Sequence, residues 1–252
     1  MSGSGAHRES SAWVVRPRPV AAPRLRLFCL PHAGGGPAIF HRWARVLPPQ
    51  LDLCAVHLPG RGARVDEPAH TRLSPLLAEL EAALRPWLDA PFAFFGHSLG
   101  AVLGFELARR LQGQGPAPRR LFASACAAPH LLPANRRLHD LPRAEFLDAL
   151  RAMGGTPPQL FAEQGWLDQM LPVVRADLTL FETYAYEEGP PLRCAITALG
   201  GRADTRASPS QLQAWAAHTG ADFRLRLFAG GHFYWQEAQD EVLAAVVQDL
   251  DW

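Results

Sequence analysis

Six short apolar runs constrain this chain more than any other feature. Each is too brief for a buried helix, and segments with helical spacing lie between them. The runs cover 25–30, 51–58, 92–95, 121–125, 194–199 and 223–228. Most are apolar at consecutive positions, as in strands buried on both faces of a parallel sheet. Leu225-Arg226-Leu227 alternates instead, which places the last strand near a sheet edge. Helical patterns occupy 39–47, 73–88, 99–111, 209–217 and 237–250. Strand alternating with helix predicts an α/β domain with a mostly parallel, doubly wound sheet.

The alternation fails once, where roughly seventy residues separate the fourth and fifth runs, far more than a crossover needs. This stretch carries Pro133, Pro142, Pro157, Pro158 and Pro172, with helical patterns at 143–153 and 166–186. We read 131–190 as a helical lid inserted over one end of the sheet. Residues 12–130 and 191–252 then form the core, and 1–11 a flexible N-terminus. Pro142 and Pro172 are candidate hinges. A purely structural excursion is the alternative.

A chain of 252 residues can bury a sizeable single core. Its net charge of +1 gives no electrostatic ground for a nucleic acid or an anionic membrane as partner. No stretch approaches the roughly 20 apolar residues that cross a bilayer, and 1–11 lacks the apolar centre of a signal peptide. Cys29, Cys54, Cys126 and Cys194 lie far apart in four apolar runs without a CxxC pair. They are expected as buried thiols in a reducing cytoplasm, forming neither a disulfide framework nor a zinc site.

Gly96-His97-Ser98-Leu99-Gly100 matches the G-x-S-x-G nucleophile elbow, and it stands between an apolar run and a helical pattern, as that motif requires. The sharp turn projects the serine hydroxyl above the sheet, and the glycines let neighbouring backbone come close. This predicts an α/β-hydrolase fold with Ser98 as nucleophile. A serine hydroxyl needs a base, and the base needs an orienting acid, in the chain order Ser, Asp or Glu, His. His232 follows the last strand through Ala229-Gly230-Gly231, where α/β sheets place chemistry. His218, late in a helical pattern, is the minor alternative. Asp204 leaves the preceding strand in the same way, while Asp177 and Asp222 are less well placed. For the oxyanion, the Leu99 amide supplies one donor. The loop Pro31-His32-Ala33-Gly34-Gly35-Gly36 supplies the other, from Ala33 or, close behind, Gly34. His32 and His97 are expected as structural neighbours of that loop.

At these residues the chain resembles the type II thioesterases associated with polyketide and nonribosomal peptide synthetases. The resemblance spans Trp13 to the C-terminus. It rests on Leu-Pro-His-Ala-Gly-Gly-Gly at 30–36, Leu-Pro-Gly-Arg-Gly at 58–62 and Phe-Gly-His-Ser-Leu-Gly-Ala at 95–101. Further matches are Gly-Gly-Thr-Pro at 154–157, Arg-Ala-Asp at 175–177, Glu-Thr-Tyr at 182–184 and Gly-Gly-His-Phe-Tyr at 230–234. It implies hydrolysis of stalled or wrongly primed acyl thioesters on the phosphopantetheine arm of carrier proteins, without metal or dissociable cofactor. Ser98 would take the acyl group, His232 would serve as base then acid, and Asp204 would orient His232. The Leu99 and Ala33 amides would hold the oxyanion, and the lid would shape the acyl pocket. An acidic carrier protein would be met by Arg136, Arg137, Arg143 or Arg175, and the enzyme is expected to be a monomer. A small-molecule or medium-chain fatty acyl esterase is the rival enzyme, and a non-catalytic carrier-binding module the rival of another class.

Overall fold

The computed structural model describes residues 11–132 and 137–250; the N-terminal segment expected to be flexible lies, except for Ser11, outside them. In chain order the strands are β1 (Val14–Val15), β2 (Leu25–Leu30), β3 (Leu51–Val56), β4 (Phe92–His97), β5 (Arg120–Ser124), β6 (Ala195–Gly201) and β7 (Phe223–Phe228). Among the described residues they form one sheet in the order β1-β3-β2-β4-β5-β6-β7. Every pairing is parallel except β1 on β3, a two-residue strand that carries no run signal of its own.

The helices are α1 (His41–Val46), α2 (Leu73–Leu84), α3 (Leu99–Leu111), α4 (Arg143–Met153), α5 (Gln164–Glu182), α6 (Pro209–Gln213), α7 (Tyr234–Glu237) and α8 (Gln239–Asp249). Consecutive apolar residues in the strands serve two cores because successive side chains point to opposite faces. Phe28 and Leu30 enter the core under α2 and α3, while Leu25, Leu27 and Cys29 enter the core with Phe40, Trp43 and α8. Both sides of β2 are therefore sealed, and all six of its residues are buried. β7 is half-exposed at the sheet edge, as its alternation implies.

The segment 131–190 carries α4 and α5 and has a small apolar cluster of its own, built on Phe146, Leu167, Leu171 and Leu178. Pro172 lies inside α5 and Pro142 caps α4. Several helices are shorter than their periodicity. The pattern at 73–88 leaves α-geometry at Arg85, because Pro86 has no N–H to continue the ladder, and ends in a 3-10 turn. The pattern at 39–47 begins with a 3-10 turn at Pro37. That at 237–250 is broken at Ala238, between α7 and α8. The pattern at 166–186 ends at Glu182.

Candidate active site

All the loops that matter leave the C-terminal ends of parallel strands, so they gather along one edge of the sheet. Ser98 follows β4 directly, with φ 55° and ψ −114°, and caps the N-terminus of α3. A non-glycine residue in that region carries strain of about 1–3 kcal/mol, here held by Ser98 N–H donating to Ser124 O at 2.8 Å. The two glycines are obligatory. A Cβ on Gly96 would sit 2.0 Å from Gly100 O, and one on Gly100 would sit 2.2 Å from Leu30 O.

Asp204 lies past β6 and His232 past β7, and their loops are laced by Ala203 N–H donating to Gly230 O at 2.9 Å. His232 Nδ1 meets Asp204 Oδ2 at 3.0 Å, with the carboxylate side chain fully buried. Burial alone would raise the Asp204 pKa. The hydrogen bond and charge of His232, with the Arg206 and Ala207 amides, outweigh it and hold the carboxyl below its usual range. The acid is thus ionised and can fix the imidazole tautomer that leaves Nε2 as base. Ser98 and His232 line one small cavity of about 40 Å³.

The loop after β2 is gripped by α5. Asp177 on α5 accepts the Gly34 amide at 2.7 Å and two Arg61 bonds at 2.6 and 2.8 Å. Arg61 also donates to Gly35 O at 3.0 Å. Of the two loop amides expected to face an oxyanion, that of Gly34 is committed to Asp177. Among the described residues the Ala33 amide meets no protein acceptor. The Leu99 amide opens α3 and is one of that helix's unfilled donors.

Three imidazoles cluster behind the elbow. His97 is fully buried, 5.2 Å from His232 and 5.7 Å from His32 between ring centroids. Burial, then the nearby His232 and His32, push the His97 pKa well down. Burial, then His232 and Arg61, lower His32 to about 4. Both are neutral near pH 7, so they place no standing cation beside His232. His97 Nδ1 bonds Ser124 Oγ at 2.9 Å, and Ser124 Oγ bonds Tyr234 OH at 2.7 Å, tying β4 and β5 to the His232 loop. Ser124 gave no sequence signal, because nothing local marks a serine at a strand end.

The other candidates lie elsewhere or serve structure. His218 bonds His130 at 2.7 Å beside Phe105 and Trp215, away from Asp204. Asp222 pairs with Arg120 and Arg224 at the start of β7. Arg175 donates to His139 O and lies 4.2 Å over the Phe146 ring. Arg143 is half-exposed and paired with Asp168, and Arg137 is largely exposed beside Asp140. Arg136 lies outside the described residues. All four cysteines are buried free thiols. Among the described residues no group of three His, Cys, Asp or Glu side chains is placed to hold a metal, and no helix is long and apolar enough to cross a membrane.

The family model described as "Thioesterase domain" matches residues 25–250. The chain is 43% identical over 248 residues to linear gramicidin dehydrogenase LgrE of Brevibacillus parabrevis, covering 97% of this chain and 94% of that one. It is 37% identical to thioesterase PikA5 of Streptomyces venezuelae, covering 93% and 84%. The solved type II thioesterase BorB from the borrelidin biosynthetic cluster superposes with a TM-score of 0.90 at 39% identity, over 96% of this chain and 98% of that one. The α/β-hydrolase fold expected from the elbow is the fold these proteins share.

Proposed function

The chain belongs to the thioesterase family, as a type II thioesterase, and from that premise we propose that Ser98, His232 and Asp204 hydrolyse stalled or aberrant acyl groups from the phosphopantetheine arms of carrier proteins in a nonribosomal peptide or polyketide synthetase. The observation that carries this reading is His232 paired to buried Asp204 beside the cavity that Ser98 lines.

In the proposed cycle Ser98 Oγ attacks the thioester carbonyl while His232 Nε2 takes the hydroxyl proton. The oxyanion is held by the Leu99 and Ala33 amides, and α3 turns its positive end toward it. The C–S bond breaks, His232 returns the proton to the departing thiolate, and the acyl group stays on Ser98. Water then attacks with His232 again as base, releasing the acid and restoring the serine. The cycle uses only the triad, two amides and water. Residues 131–190 act as the lid that covers the acyl group, and the largely exposed Arg137 is available to an acidic carrier protein.

The name of LgrE gives it as a dehydrogenase. We keep the hydrolytic reading, since this chain has a complete elbow and no Gly-x-Gly-x-x-Gly turn anywhere in its sequence. The test is acyl release from acyl-phosphopantetheinyl carrier protein against a free ester of the same acyl group. Faster release from the carrier, abolished by Ser98→Ala, is expected. Hydrolysis of free esters alone would replace the synthetase role with that of a small-molecule esterase. No turnover on either substrate would favour a binding module.

A further inference from the structure

Two cavities flank the His232 loop. Ser98 and His232 line the smaller, of about 40 Å³. The larger, of about 200 Å³, lies between the loop after β2 and the lid, with Met153, Trp166, Met170, Leu171 and Phe233 in its wall. No residue lines both. His232 faces the first cavity, and Phe233, the next residue, faces the second.

The Phe233 ring is held on both sides. It stands edge-on to His232 with ring centroids 5.2 Å apart, edge-on to His32 at 5.0 Å and tilted against His97 at 5.5 Å. Its far rim lies on the lid at Gly155, which has φ +86° and where a Cβ would fall 2.3 Å from Phe233 Cζ. Only glycine lets the ring and the lid approach this closely.

We propose that Phe233 is a specificity-determining gate between the two cavities. The proposal rests on Ser98 carrying the acyl group. The smaller cavity, of about 40 Å³, is one fifth the volume of the larger, of about 200 Å³, so a short acyl group is matched to the first and a long one to the apolar chamber. An acetyl-sized group is accommodated with the ring in place. A chain that outgrows the smaller cavity swings the ring off Gly155 to gain the apolar chamber, so the closed ring discriminates against longer chains. The wall also couples chain length to catalysis, because a displaced ring loses its contact with the His232 imidazole.

The experiment compares kcat/KM for acetyl, butyryl and octanoyl pantetheine thioesters in the wild type, Phe233→Leu and Phe233→Ala. The octanoyl-to-acetyl ratio is expected to rise by about tenfold or more in Phe233→Ala, the scale of methylene discrimination in an apolar pocket, and by less in Phe233→Leu. A ratio unchanged in both variants overturns the gate. So does an equal fall at every chain length, which is what a merely structural residue would give. A second measurement needs no turnover: binding of non-hydrolysable acetyl and octanoyl amide analogues to Ser98→Ala with and without Phe233→Ala. Preferential tightening of the octanoyl analogue supports the gate, and an unchanged preference overturns it. Failure of the wild type to hydrolyse any of these thioesters would instead strike the thioesterase mechanism beneath it.

Discussion

Ser98, Asp204 and His232 stand at strand ends that the sequence marks with glycine-rich loops, which is why all three could be named from order and spacing. The groups around them could not. Ser124 and Tyr234 meet across 110 positions, and Arg61 and Asp177 across 116, so nothing local announces either contact. The neutral histidines are a consequence of the same packing. His32 and His97 are held with lowered pKa values mainly by burial, as is His218 at about 4. Unfolded, each titrates near 6.5. Between pH 6.5 and about 4 the unfolded chain therefore binds more protons than the folded one, and stability must fall as pH drops through that window. His32, partly shielded, is expected to contribute on the order of 1–2 kcal/mol of loss between pH 7 and pH 5. Urea unfolding at the two values measures it, and an identical midpoint at both would contradict the burial argument. Asp204 acts lower. Its depressed carboxyl stabilises the fold above the unfolded value near 3.9, and that contribution is lost as pH falls through the folded value.

The element that organises the site from above is α5. Asp177 binds it to the loop after β2, Val174 packs against Gly34, and at its end Glu182 accepts the amides of Leu138 and His139 at 3.1 and 3.0 Å. Any movement of α5 away from the loop after β2 would break the buried Arg61–Asp177 pair. Replacing Asp177 by Ala strands the Arg61 guanidinium, whose side chain is only 4% exposed, and leaves the Gly34 amide without its acceptor. The expected cost is about 3 kcal/mol or more in unfolding free energy, measurable by urea denaturation. A loss below about 1 kcal/mol would mean that the pair contributes no net hold on the loop. Helix α4 was legible to the residue, since its amphipathic pattern and the proline before it mark its bounds. The interior break at Ala238 was not, because the apolar spacing runs on through it.

For the whole molecule, a parallel sheet explains why residues 98, 204 and 232 could meet at all. Their strands β4, β6 and β7 all point the same way, with β5 between β4 and β6, so three distant loops emerge on one edge. That architecture was readable because consecutive apolar runs report burial on both faces. The placement of α5 was not readable from the sequence, since it depends on the Asp177 and Glu182 contacts. Both cavities arise from that placement, and the proposed acyl-enzyme must form in the smaller one. The most direct measurement is mass spectrometry of the enzyme quenched during turnover of acetyl-phosphopantetheinyl carrier protein. The mechanism predicts one acetyl group on the peptide containing Ser98, absent in Ser98→Ala together with acid release. An acyl group on another residue, or turnover that survives Ser98→Ala, would contradict it.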